Sequence, residues 1–186
     1  MAGSRRRRST PESQAAAKER RATISESGPV MDAAATFLGV RPRSVDETRR
    51  RLLQLGYPEP LVQTVIARLI EMEYLDDAAF ARAWLESRDR VRPRGEMALR
   101  RELALKGVPR KVIDDALTTR TDEAGEEGPN RSAAVALLER RRSMLEREPD
   151  DYRRRQKAYT LLARNGFDPD ICREVTLEFV AAPRSS

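Results

Sequence analysis

The chain has 186 residues, of which 39% are apolar and 35% charged, and its formal net charge is +6. No apolar run is long enough for a membrane-spanning helix, and the single cysteine, Cys172, cannot form an internal disulfide, so we expect a cytoplasmic protein with no membrane partner. The chain lacks histidine and any Gly-rich phosphate loop, which excludes His-based nucleophile pairs, His-bearing metal sites and a nucleotide-binding P-loop. These exclusions favour a non-enzymatic protein without a cofactor.

The positive charge is concentrated at the start of the chain. Residues 1–21 have a net charge of +5, and the remaining residues have +1. Residues 1–29 are basic and poor in large apolar side chains, so they predict a disordered tail, because too little surface can be buried to offset the ordering entropy. The tail is either a solubilising segment or a flexible arm that adds affinity for phosphate.

Three glycines follow helical sequence at equivalent points of an internal repeat. Gly56, Gly107 and Gly166 are each followed by an apolar residue and then, one or two positions on, by a proline. Each glycine predicts a left-handed helix end, and each proline predicts the start of another helix. Five, six, nine and ten residues after the glycines, the same apolar stripe recurs. Self-similarity at fixed offsets indicates a repeat architecture.

One further helix precedes each glycine-linked pair, and no sustained period-two alternation indicates a strand. The sequence therefore predicts an all-α fold of three tandem three-helix repeats that form an elongated, curved body behind the disordered tail. The predicted boundaries are 30–75 for repeat 1, 76–121 for repeat 2, 122–129 for an acidic linker and 130–182 for repeat 3.

An ordered set of short motifs lies in and before the second repeat. The set comprises Tyr74-Leu75-Asp76-Asp77, Phe80-Ala81, Trp84, Arg94-Gly95, Leu99, Glu102-Leu103, Lys106-Gly107-Val108, Ile113 and Ala116-Leu117. In this set the chain resembles the RecX family, the bacterial regulators of the RecA recombinase. The resemblance implies tandem three-helix repeats and a monomer that binds RecA along the groove of its filament on single-stranded DNA. It further implies inhibition of RecA ATP hydrolysis and strand exchange in recombination, repair and the SOS response, with no small-molecule substrate.

Arginine and lysine side chains are dense between Arg82 and Lys111, where the local net charge is +6. Part of this charge fits a solvated helix face with i,i+4 ion pairs. The alternation of four arginines around Pro93 lacks an acidic partner for each cation, and loop arginines suit phosphate or carboxylate. Repeat 3 has a second basic group, for which binding and simple solvation both remain open. The predicted binding residues for RecA or DNA are Arg88, Arg90, Arg92, Arg94, Arg100, Arg101, Lys106, Arg110, Lys111, Arg141, Arg142 and Arg154.

Two other functions are compatible with the pattern. The helix-Gly-turn-helix units could belong to an autonomous DNA-binding protein, although few side chains suited to base edges lie on the second helices. The repeats could alternatively form a scaffold that binds only proteins, which would show no salt-dependent affinity for single-stranded DNA. Phe80, Trp84 and Cys172 lie on apolar stripes, and we expect them in the core.

Overall fold

The structure is a computed structural model that describes residues 11–124 and 128–183. Within these ranges the chain forms eleven helices and no strand, which confirms the predicted all-α class. The helices are α1 (Pro11–Ala22), α2 (Gly28–Leu38), α3 (Val45–Leu55), α4 (Glu59–Glu71), α5 (Asp77–Val91), α6 (Glu96–Leu105), α7 (Arg110–Asp122), α8 (Pro129–Arg140), α9 (Arg142–Glu146), α10 (Asp151–Arg164) and α11 (Pro169–Ala181).

The chain divides into two compact units, with the boundary between Asp76 and Asp77. In the first unit, α2, α3 and α4 enclose a core that includes the buried Leu52 and Val62. Helix α3 begins with a capping box, in which the Ser44 hydroxyl accepts from the Glu47 amide at 3.0 Å and the Glu47 carboxylate accepts from the Ser44 amide at 3.4 Å. Such a cap stabilises a helix by about 1 kcal/mol and fixes where α3 starts.

The second unit contains two apolar clusters, each belonging to one set of three helices. Helices α5, α6 and α7 bury Phe80, Leu99 and Ile113, while α8, α10 and α11 bury Leu138 and Val175. The described chain therefore has one cluster for each predicted repeat. Trp84 is only partly buried at the edge of its cluster, whereas Cys172 is fully buried as predicted.

The repeat glycines adopt the backbone conformation that the sequence predicts. Gly56, Gly107 and Gly166 have φ angles of 97°, 75° and 82°, in the left-handed region that disfavours residues with a Cβ. Four residues before them, Leu52, Leu103 and Leu162 are all fully buried. The predicted register of the three repeats is thus confirmed.

The start of α6 lies against the turn between α10 and α11, inside the second unit. The amide of Gly95 donates to the Asn165 carbonyl at 3.0 Å, and the amide of Met97 donates to the Gly166 carbonyl at 3.2 Å. A Cβ at position 95 would lie 2.2 Å from the carbonyl oxygen of Gly166. Backbone contact this close is possible only for a residue without a side chain, so Gly95 allows the start of α6 to pack against the turn between α10 and α11.

Two helices differ from the prediction. Within the predicted disordered tail, Pro11–Ala22 forms α1, because its run of Ala, Glu, Gln and Lys favours a helix and its basic side chains find contacts on the first unit. Residues 1–10 of the predicted tail lie outside the described residues. The short α9 is also additional and occupies the extra length of the third repeat. Residues 125–127 of the predicted acidic linker are outside the described residues.

Candidate binding surface

The four alternating arginines at the end of α5 point in two directions. Arg88 donates to Glu102 Oε2 at 2.6 Å, and the Nε of Arg94 lies 3.6 Å from Glu102 Oε1. Arg90 and Arg92 are exposed, and no ion pair of either side chain occurs in the described part of the chain. Arg88 and Arg94 therefore organise the fold, whereas Arg90 and Arg92 are free to meet a partner.

Trp84 of α5 connects Arg88 to α6. Its indole N–H donates to Glu102 Oε2 at 3.0 Å, and the guanidinium of Arg88 lies 4.3 Å from its ring centre. The ammonium group of Lys106 lies 4.2 Å from the same ring. Two cation–π contacts fix these side chains at the edge of the core, so Trp84 and Arg88 have a structural role and Lys106 is partly engaged.

The basic residues of α6 and α7 are mostly neutralised by neighbouring carboxylates. Arg100 forms ion pairs with Asp114 and Glu96, and hydrogen bonding to Asp114 raises the pKa of Arg100. Arg110 approaches Asp114 at 3.8 Å, and Lys111 pairs with Asp115 at 2.8 Å, although both cations remain largely exposed. Arg101 differs from these residues, because it is exposed and forms no ion pair with any described residue.

The arginines predicted in the third repeat also divide. Arg142 pairs with Glu139 and Glu146, and hydrogen bonding to Glu139 raises the pKa of Arg142. Arg154 is only 3% exposed and donates to the Val180 carbonyl at 3.2 Å. Arg154 is one of the binding residues predicted from sequence, but this burial leaves its side chain largely inaccessible to a partner. Arg141 is exposed, and its side chain forms no ion pair within the described ranges.

Arg140, which is not among the binding residues predicted from sequence, joins the two basic groups. Its guanidinium donates to the Arg90 carbonyl at 2.7 Å and also to the Val91 carbonyl. This contact brings the C-terminal end of α8 to the C-terminal end of α5. The exposed Arg90, Arg92 and Arg141 consequently lie at one corner of the second unit, which we call the arginine corner. No local sequence signal predicts this contact, since its partners are 49 and 50 residues apart.

Other site types receive no support from the described residues. No group of three or more His, Cys, Asp or Glu side chains among them could hold a metal ion. No helix in the described ranges is long and apolar enough to cross a membrane. The chemistry available at the arginine corner is the recognition of anions.

Comparison with known proteins gives a consistent match along the chain. Models for the first, second and third three-helix domains of RecX match residues 31–69, 76–117 and 131–176. The regulatory protein RecX of Prosthecochloris aestuarii is 33% identical over 156 residues, which cover 84% of this chain and 97% of the relative. The chain belongs to the RecX family. This confirms the predicted family and the prediction of a regulatory protein rather than an enzyme.

Further members of the RecX family show the same extent of similarity. The regulatory protein RecX of Mycobacterium avium is 36% identical over 152 residues, covering 80% of this chain and 83% of the relative. The crystal structure of RecX from Lactobacillus salivarius has the same fold, with a TM-score of 0.71, 20% identity and coverage of 84% of this chain and 97% of that one. The arginine corner lies at the end of α5 and the end of α8, which belong to the second and third matched domains.

Proposed function

We propose that this RecX-family chain binds the RecA filament on single-stranded DNA along its groove and inhibits ATP hydrolysis and strand exchange. The partition of the arginines supports this proposal most directly. Arg90, Arg92 and Arg101 are exposed without a carboxylate partner in the described chain, while neighbouring arginines are held by Glu102 or Asp114. Cations left without an internal partner suit an external anionic one.

A groove formed by protein and nucleic acid offers phosphates and carboxylates together. Guanidinium groups bind both through paired hydrogen bonds, so one set of arginines can serve either contact. The rest of the chain is nearly neutral, with +1 outside residues 1–21. Patches of both signs on a near-neutral body favour one complementary partner over general adhesion to polyanions. Of the twelve residues predicted from sequence, we infer that the exposed and unpaired Arg90, Arg92, Arg101 and Arg141 contribute most to binding. Arg90, Arg92 and Arg141 lie at the arginine corner, and Arg101 lies on α6.

The test is RecA-dependent ATP hydrolysis on single-stranded DNA, titrated with the full chain. We expect Arg90→Glu, Arg92→Glu and Arg101→Glu together to raise the concentration for half-inhibition by about tenfold or more, since each reversal replaces attraction by repulsion. The effect should be larger at low salt than at high salt, because counterions screen exposed charges.

The matched control reverses three exposed arginines elsewhere, Arg68, Arg155 and Arg164, none of which has an ion pair in the described chain. The two variants have the same net charge, so a loss confined to the first assigns the effect to the surface rather than to total charge. Equal inhibition by the two variants would contradict the assignment of the binding surface to Arg90, Arg92 and Arg101. Tight binding of duplex DNA at a selected sequence without RecA would favour the autonomous DNA-binding alternative.

A further inference from the structure

We propose that the cleft between α1 and α3 binds the phosphate backbone of a single-stranded nucleic acid. The cleft lies in the first unit and has a volume of about 560 Å³. Helix α1 precedes the first matched domain, which begins at residue 31, and none of the predicted binding residues is in this unit. The proposal thus goes beyond the function proposed above, which centres on the second unit.

Helix α1 is held on α3 by two of its own basic side chains. The stem of Lys18 lies over Gly56, where an added Cβ would come within 2.4 Å of Lys18 Cγ. Arg21 donates to the Leu55 carbonyl at 3.3 Å, and its guanidinium lies 5.7 Å from the ring centre of Tyr57. The carbonyl is at the C-terminal end of α3, which favours a cation. These contacts place two positive charges along one wall of the cleft.

The opposite wall adds a third cation and no compensating acid. Arg51 and Gln54 of α3 line the cleft together with Lys18 and Arg21, and its described lining contains no carboxylate. Lys18 and Arg51 form no ion pair with any described residue. Three cations around one concavity repel one another unless an anion lies between them, so the cleft is suited to phosphate.

The cleft continues into a second depression, which makes a polymer a better fit than a small anion. This depression of about 400 Å³ shares Arg51 and Gln54 with the first and extends to Phe37 near the end of α2. The guanidinium of Arg43 lies 4.1 Å from the ring centre of Phe37. Cations followed by an aromatic–guanidinium pair are the combination with which proteins hold single strands, through phosphate contacts and base stacking. Glu47, which also lines the depression, is occupied by capping α3.

The experiment measures binding of a fluorescent oligo(dT) to the full chain by anisotropy at several salt concentrations, without RecA. Lys18→Gln with Arg51→Gln should weaken binding several-fold at low salt. It should also reduce the slope of log K against log salt by about 1.4, since each phosphate contact to a single strand contributes about 0.7. Arg51→Gln alone, at an exposed residue, should give about half of this change and does not disturb α1.

The control is Arg68→Gln, which removes an exposed charge of the same unit outside the cleft and should leave the slope unchanged. An unchanged slope in Arg51→Gln and in the double variant would overturn the proposal. The oligonucleotide could also be displaced by inorganic pyrophosphate at the same concentration of negative charge. This result would assign the cleft to small anions and would also overturn the proposal. Because RecA is absent, neither result depends on the ATPase test of Arg90, Arg92 and Arg101.

Discussion

Arg120 and Asp89 form a two-pronged ion pair, in which Nε and Nη2 of Arg120 donate to the two carboxylate oxygens at 2.9 and 2.8 Å. The Arg120 side chain is only 8% exposed, and it donates in addition to Asn130 Oδ1 at 3.0 Å and to the Pro129 carbonyl at 3.3 Å. One guanidinium therefore connects α5, α7 and the start of α8. It joins the second helix set of the RecX fold to the third.

Removal of this guanidinium should destabilise the second unit. We expect Arg120→Ala to lower the free energy of unfolding by about 3 kcal/mol, because Asp89 and the Pro129 carbonyl lose their partners. The free energy of unfolding of Arg120→Lys should lie between those of the parent chain and Arg120→Ala, since lysine keeps the charge but lacks the planar guanidinium that binds both carboxylate oxygens. Urea unfolding of the full chain measures both. Arg90→Ala is the control and should change stability by less than about 0.5 kcal/mol, and an equal loss in Arg90→Ala would contradict the role of Arg120.

The contact at Gly95 predicts a position that tolerates no side chain. Gly95→Ala should lower the free energy of unfolding by about 2 kcal/mol or more, because the methyl group would overlap the backbone of Gly166. Gly28→Ala is the matched control, since nothing lies within 4 Å of a Cβ built there. Thermal unfolding of the two variants compares them directly. Similar melting temperatures would mean that the two helix sets separate easily at this point.

Acid should weaken the third repeat through Glu139. Hydrogen bonding from Arg142 lowers the pKa of Glu139, so the unfolded chain takes up this proton at a higher pH than the folded chain does. The stabilisation is complete above the unfolded pKa of about 4.3 and is lost as the pH falls through the folded value. Urea unfolding of Glu139→Gln between pH 7 and pH 3 should show a smaller loss of stability than the parent chain. Glu86→Gln, at an exposed residue without an ion pair in the described chain, should retain the full pH dependence.

The thiol of Cys172 should be unreactive in the folded protein. It is fully buried, its sulfur lies 3.7 Å from the Phe167 carbonyl oxygen, and burial raises its pKa, so little thiolate forms near pH 8. Reaction with a chromogenic disulfide at pH 8 should proceed at least about a hundredfold faster in denaturing urea, because the folded thiol reacts only after opening. Rapid reaction in buffer would mean that α11 opens readily.

The register of the repeats could be predicted because its signals are local. A left-handed helix end restricts the residue type at Gly56, Gly107 and Gly166, and the apolar positions follow from helical periodicity. The different orientations of Arg88 and Arg90 also have a local signal in the sequence. Arg88 lies four residues after Trp84 and shares its helix face, whereas Arg90 lies about 200° around the helix from Arg88.

The cleft between α1 and α3, for which we propose nucleic-acid binding, was not predicted from sequence for a different reason. Residues 40–43 and 91–94 both read Val-Arg-Pro-Arg, and this repeated peptide would have aligned the basic segments of the first two repeats. The docking of α1 had no comparable signal, since it depends on the open backbone of Gly56 and on the Leu55 carbonyl. Contacts between residues far apart in sequence, such as those of Arg120 and Arg140, likewise follow from packing that no local pattern encodes.

The amides that open α6 find their acceptors at Asn165 and Gly166, about 70 positions downstream. The first turn of this helix is consequently completed by residues that are synthesised about 70 positions later. In a shortened protein that stops at Asp122, those amides would hydrogen-bond to water, and α6 would fray at its N-terminal end. A fragment study should therefore divide the chain between Asp76 and Asp77. A fragment that contains only α5 to α7 would underestimate the stability of α6 in the intact protein.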